Sequence, residues 1–149
     1  MNRFYSRRPL ALVLVAVGLI AFVAPAQAGT RPHHSRGNAQ FVSANDFVGE
    51  GTATHLGHYD EVGSVLLLPT PDPTVFLVDA SATYTAANGD QLHAVITGTL
   101  DGDTGAITAT VTYVGGTGRF SSASGTAALS AQLFPDGSID VDVDGTLNY

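Results

Sequence analysis

The chain has 149 residues, thirteen Asp and Glu against six arginines, no lysine and a formal net charge of −7. Such a balance excludes the clustered cations needed to grip a phosphate backbone, so nucleic acid is not an expected partner, and it disfavours anionic membrane surfaces. With no cysteine anywhere, a disulfide framework, a lipoprotein anchor and thiol chemistry are excluded together.

Residues 1–28 read as a signal peptide. Arg3, Arg7 and Arg8 precede an apolar run of 14 residues from Leu10 to Val23, and Ala26-Gln27-Ala28 supplies a small-x-small cleavage site before Gly29. The run is too short for a membrane span, which needs about 20 apolar residues. Ser6-Arg7-Arg8 resembles part of a twin-arginine signal, but Leu10 and Ala11 stand where an aromatic and a leucine are preferred. General secretion is therefore the expected route, to a secreted, periplasmic or envelope location. Losing the leader removes three arginines and no acid, which takes the mature chain near −10. Residues 29–40 hold Gly, Pro, Ser and two arginines without an apolar period, so they read as a flexible arm. His33-His34 within it lacks a third metal ligand nearby and reads as polar linker.

The domain is expected over 41–149, in strands and turns with no helical period. Phe47 to His55 and Tyr59 to Leu68 are the weaker strands, separated by Leu56-Gly57-His58, and Pro69, Pro71 and Pro73 then break the chain. From Thr74 to Ala86 one face carries Phe76, Val78, Ala80, Ala82 and Tyr84. Asn88-Gly89 predicts a type I′ hairpin turn. Leu92, Ala94, Ile96, Gly98 and Leu100 share the next face, and Ile107, Ala109, Val111 and Tyr113 the one after. Ala127, Leu129, Ala131 and Leu133 form another. The last strand sets Ile139, Val141, Val143, Leu147 and Tyr149 against Asp140, Asp142, Asp144, Thr146 and Asn148. Seven or eight strands joined by short turns are antiparallel neighbours, and one apolar face without a covering helix must close on itself. The expected fold is all-β: a closed antiparallel up-and-down β-barrel of about eight strands, calycin-like, with the last strand pairing to the first.

Between two of these strands lies Val114-Gly115-Gly116-Thr117-Gly118-Arg119-Phe120, followed by Ala123, Gly125 and Ala127. This segment resembles the VGGTG-(Lys/Arg)-Phe and Ala-x-Gly pattern of the dirigent proteins and is similar to that of the allene oxide cyclases. Gly51 to Gly57 (GTATHLG) is similar to secreted bacterial barrels of the same superfamily. The resemblance covers most of Phe47 to Tyr149 and implies a closed barrel that holds an apolar small molecule. Two departures bear on activity: Ser124 stands where dirigent proteins usually have arginine, and no cysteine is present for a cyclase-like pocket. Phenoxy-radical coupling and oxide cyclisation are therefore not carried over.

The ligand-binding candidates are Arg119, Tyr84, Tyr113 and Phe120. Arg119, the sole cation expected in the domain body, either neutralises a nearby acid or orients an anionic or carbonyl ligand. Tyr84 and Tyr113 fall on apolar faces and need hydroxyl partners if buried. Phe120 anchors the wall or plugs one end. Gly115, Gly116, Gly118 and Gly125 form a structural loop, the first three permitting turn conformations closed to residues with a Cβ. His55 and His58 are three apart, which on a strand points them to opposite faces and argues against a zinc site. Asp140-x-Asp142-x-Asp144-Gly145 lacks the final glutamate of an EF-hand and reads as a solvated acidic face. No metal and no cofactor are expected. The leading expectation is an exported, non-catalytic barrel that binds a hydrophobic small molecule. An isomerase or cyclase acting on a small apolar substrate is the alternative, and a structural envelope or matrix protein the third. Convergent polar groups inside the pocket would favour the enzyme, and the absence of a continuous cavity the structural protein.

Overall fold

The computed structural model describes residues 29–149, so the leader at 1–28 lies outside the described residues. Eight strands follow one another: β1 (Arg31–Phe41), β2 (Asp46–Ala53), β3 (Gly57–Pro69), β4 (Val75–Ala86), β5 (Gln91–Asp101), β6 (Ala106–Gly116), β7 (Gly125–Leu133) and β8 (Ser138–Leu147). Each pairs antiparallel with its sequence neighbours, and β8 returns to β1 from Ser138↔Gln40 to Leu147↔Arg31, closing an up-and-down barrel. Closure leaves no open sheet edge. Among the described residues no helix is long and apolar enough to cross a membrane.

The inner faces read from alternation in β4 to β8 are the faces that are buried. Ala80, Ala82, Ala94, Val111, Leu129 and Val143 are core residues, while Asp140, Asp142 and Asp144 stay exposed. Val141, also inward, is only half-buried, because it lies where the lumen opens.

The supposed arm at 29–40 is a correction. It forms β1, the strand that closes the barrel, with His33, Ser35, Gly37, Ala39 and Phe41 inward. Three of those five positions are polar or glycine, so the period of two is real but invisible to a hydrophobicity pattern. The closing partner of β8 is thus β1 and not the strand at Phe47. The domain consequently holds Arg31 and Arg36, in the barrel wall, as well as Arg119.

The Asn88-Gly89 hairpin also differs from expectation. Only Gly89 has a positive φ (86°), the Ala86 carbonyl accepts from the Gly89 N–H at 2.8 Å, and the Ala86 N–H donates to Asp90. This is a type I turn followed by a left-handed glycine, the three-residue alternative to a type I′ loop. The same bonding recurs at Phe134–Ser138 around Gly137.

The two barrel ends differ. One is capped by Leu56 in the β2–β3 turn and by Phe120 in a single 3₁₀ turn (Gly118–Phe120), with Leu92, Ala123 and Leu147 buried around them. At the other, the inward residues Phe41, Leu67, Ile107, Leu133 and Val141 are only partly covered, Leu67 remaining 41% exposed. The barrel is a cup with an apolar mouth and a packed base.

Candidate functional site

Inside the cup is a cavity of about 90 Å³. Its upper wall is aliphatic, with Val65, Val78, Ile96, Leu100, Leu129 and Ile139, and small side chains at Ala39 and Ala80 leave its volume. The base is polar, carrying His33 and Ser35 from β1, Tyr59 and Glu61 from β3, Tyr84 from β4 and Tyr113 from β6. A pocket that is mostly apolar with a few convergent polar groups is the usual form of a small-molecule site.

Local sequence explains how these groups meet. On β2 the inward positions at this level are Gly49 and Gly51, which present no side chain. The Tyr59 ring lies across the gap, and its hydroxyl shares a hydrogen bond of 2.9 Å with Ser35 on the far side. A Cβ at Gly51 would sit 2.7 Å from the Tyr59 Cζ, so β2 must be glycine for β1 and β3 to touch over it. The rings of Tyr59 and Tyr84 stand perpendicular, with centroids 5.4 Å apart. Tyr113 meets His33 edge-on at 5.2 Å.

Glu61 is buried in this apolar cup, which disfavours its charged form and pushes its pKa up to about 7, with a hydrogen bond from Tyr84 partly opposing the rise. Burial first, and then the neighbouring Glu61 carboxylate, hold the Tyr84 hydroxyl well above its ordinary value. Tyr113 is raised mainly by burial, as is Tyr59, where the Ser35 bond opposes the shift. His33 moves the other way: burial, then repulsion from His55 and His34, lowers it to about 4, so at neutral pH its ring is uncharged. Its Nδ1 is buried without a hydrogen-bond partner.

Of the residues singled out in the sequence, Tyr84 and Tyr113 line the cavity, whereas Arg119 and Phe120 do not. Phe120 is fully buried in the base, packed on Tyr149 with ring centroids 5.1 Å apart. Arg119 lies on the outside of that base. Its Nη2 donates to the His55 carbonyl at 2.9 Å, its Nε stands 3.7 Å from Asp90, and its Cζ is 4.8 Å from the Phe120 ring centre. The arginine ties the β2–β3 turn to the β4–β5 turn. Gly115, Gly118 and Gly125 have positive φ, but Gly116 does not; it is glycine because the Gln91 carbonyl occupies the space of a Cβ.

His33, Ser35, Tyr59 and Glu61 were not singled out as site residues. His33 lies in a stretch that reads as linker, and Glu61 sits in a segment whose alternation (Tyr59, Glu61, Gly63, Val65, Leu67) mixes polar and apolar side chains. The signal that finds them is parity: each occupies an inward position of its strand.

The remaining histidines and acids face outward or cap the ends. His55 stacks on His33 at 5.9 Å and donates from Nε2 to the Pro32 carbonyl, which leaves Nδ1 to accept from the Tyr149 hydroxyl at 3.3 Å. On β8, Asp142 pairs with Arg36 at 2.7 Å and Asp144 with His34 at 3.3 Å, so two members of the acidic row are partnered by β1. On the outer wall Glu50, His58 and Asp60 bring ligand atoms within 4.8 Å of one another, a set that could hold a metal ion; all three are exposed.

No protein-family model, curated protein or solved structure matches this chain. The lumen itself therefore carries the functional argument.

Proposed function

We propose that the protein is an exported barrel that binds a slender apolar small molecule in its lumen, with a polar end of the ligand directed to the base. The observation that carries this reading is the cup itself: an aliphatic shaft, open at one end and closed at the other over a polar floor in which the His33 Nδ1 has no hydrogen-bond partner. A volume of about 90 Å³ is smaller than the roughly 150 Å³ cavity that accepts benzene in an engineered protein. A chain whose tail runs out through the open mouth fits it better than a fused ring. The resemblance of Val114 to Phe120 to the dirigent and allene oxide cyclase barrels supports the same reading, and the leader-like residues 1–28 support export.

The test is a titration with n-octanol followed by NMR of side-chain methyl groups. Shifts are expected at Val65, Ile96 and Leu129, and they should vanish in Ala131→Phe, which narrows the mouth. Shifts confined to the outward-facing Leu66, Leu68 and Leu77 would place binding on the wall and end the proposal.

One observation favours a catalytic reading of the same base. A buried carboxyl that titrates near neutrality beside a tyrosine hydroxyl can both give and take a proton, the requirement for an isomerase acting on a small apolar substrate. Turnover lost in Glu61→Gln with octanol binding retained would select it over the container.

A further inference from the structure

We propose that the base of the lumen is a seat for an organic ammonium, a primary amine on a slender apolar chain, whose charge is balanced by Glu61 and whose head is enclosed by Tyr59, Tyr84 and Tyr113. The inference rests on the lumen-binding reading above and specifies the class of ligand.

Charge gives the first argument. No lysine or arginine lines the cavity; Glu61 is its one carboxylate and His33 its one imidazole. A fatty carboxylate seated there would meet a second acid with no cation to separate them. An alcohol would leave the Glu61 charge uncompensated in a low-dielectric site. An ammonium removes that cost, since an opposite charge within a few ångströms restores the ionised carboxylate.

Ring geometry gives the second. Tyr59 and Tyr84 form a perpendicular corner at 5.4 Å, and Tyr113 lies in the same base, edge-on to His33. Aromatic faces around a desolvated cation attract it through the ring quadrupole, and several rings beside one acid are the recurrent form of ammonium recognition.

Hydrogen bonding gives the third. An ammonium offers three donors and no acceptor. The base offers the Glu61 oxygens, the Ser35 and Tyr59 hydroxyls and His33, which as a neutral ring keeps one acceptor nitrogen in either tautomer and whose Nδ1 has no partner within the protein. His33 is only 2% exposed and lines the cavity, so its unmet hydrogen bond cannot be answered by bulk water.

The experiment is calorimetry on the full mature chain with three ligands of one tail: n-octylamine, n-octanol and n-octanoate. At pH 8 the amine is expected to bind at least about tenfold tighter than the alcohol, from one charge-assisted pair and its cation–π contacts, with the carboxylate weakest. Glu61→Gln should erase the advantage of the amine over the alcohol, with near-ultraviolet circular dichroism reporting that the variant is folded. In the unsubstituted protein, affinity for the amine should fall as the pH drops below about 7, towards tenfold per pH unit, because Glu61 must first lose its proton. The groups facing Glu61 do not titrate in that range: His33 on β1 is neutral to about pH 4, Tyr59 on β3, Tyr84 on β4 and Tyr113 on β6 are all raised, and the inward positions of β2, β5, β7 and β8 carry no ionisable side chain. Octanol affinity should not follow this slope. Octanol or octanoate binding as tightly as octylamine overturns the ammonium inference while the lumen-binding reading stands. No binding of any of the three overturns both. Should Glu61→Gln lose octanol as well, the slope of the unsubstituted protein decides: a flat profile for the amine rejects the proposal.

Discussion

Two buried groups in the base give stability opposite dependences on pH, and separating them tests the structure without a ligand. Glu61 rises from 4.5 to about 7 on folding, so between those values the folded chain holds a proton that the unfolded chain has released. Stability therefore falls as pH rises through that window, by about 3 kcal/mol at roughly 1.4 kcal/mol per pH unit, and the full loss is reached above pH 7. His33 drops from 6.5 to about 4, so here the unfolded chain binds the extra proton. Its contribution is complete above pH 6.5 and is lost as pH falls towards 4, again by about 3 kcal/mol. From pH 4.5 to 6.5 the two slopes oppose each other. Asp72, Asp101 and Asp136, lowered by hydrogen bonds from Thr74, Thr104 and Ser138 in their turns, lose their contribution only at more acid pH.

The unsubstituted protein is therefore expected to show a nearly flat stability profile from pH 4.5 to 6.5. Glu61→Gln should unmask a rise with pH, and His33→Gln a fall. In urea unfolding, with a slope of about 1–3 kcal/mol per M, each variant should move its midpoint by about 1–3 M across the window, in opposite directions. Parallel profiles for the three proteins would refute the argument, because they would show that neither side chain changes its proton affinity on folding.

Two further substitutions test the closed end. Phe120→Ala removes a fully buried ring and should cost about 3–5 kcal/mol in chemical unfolding; a loss below about 1 kcal/mol would show that the base is not packed around it. Arg119→Met removes a partly exposed clamp outside the cavity, so the melting temperature should fall slightly and octanol binding should be unchanged. Lost binding with an unchanged melting temperature would move the site from the lumen to the outer base.

How much was legible in the sequence depended on what each strand sends inward. In β4 to β8 the inward set is aliphatic, aromatic or small, and alternation against Thr, Ser and Asp shows the face directly. That pattern, with short turns, was enough for a closed eight-stranded barrel. β1 escaped because its inward row begins His33, Ser35, Gly37, and its outward row contains Pro32, His34 and Arg36, so neither face looks like a core. Arg119, the one positive charge in the expected domain, left two readings open in the sequence, an ion pair with a nearby acid or a pocket cation. With β1 in the wall that distinction disappears, and its partners are a turn carbonyl and Asp90.

The strands that were hard to read, β1 and β3, give the polar base His33, Ser35, Tyr59 and Glu61, and the link is physical. A barrel filled only with aliphatic side chains alternates cleanly; one that places an acid, an imidazole and a hydroxyl at inward positions does not. Gly49 and Gly51 belong to the same arrangement, since they remove the intervening wall of β2 and let Ser35 and Tyr59 bond across it. Keeping Glu61 there costs about 3 kcal/mol of stability at neutral pH, a sizeable part of the 5–15 kcal/mol typical of a domain. A leucine at position 61 would avoid that cost and extend the aliphatic shaft to the floor. A group that weakens the empty fold yet sits at the end of an open apolar shaft, in a lumen that also holds an imidazole with an unmet hydrogen bond, makes sense when a ligand completes it. The same reasoning ties the stability measurement to the binding one: a ligand that answers the Glu61 charge should stabilise the protein most above pH 7, where that carboxyl is ionised.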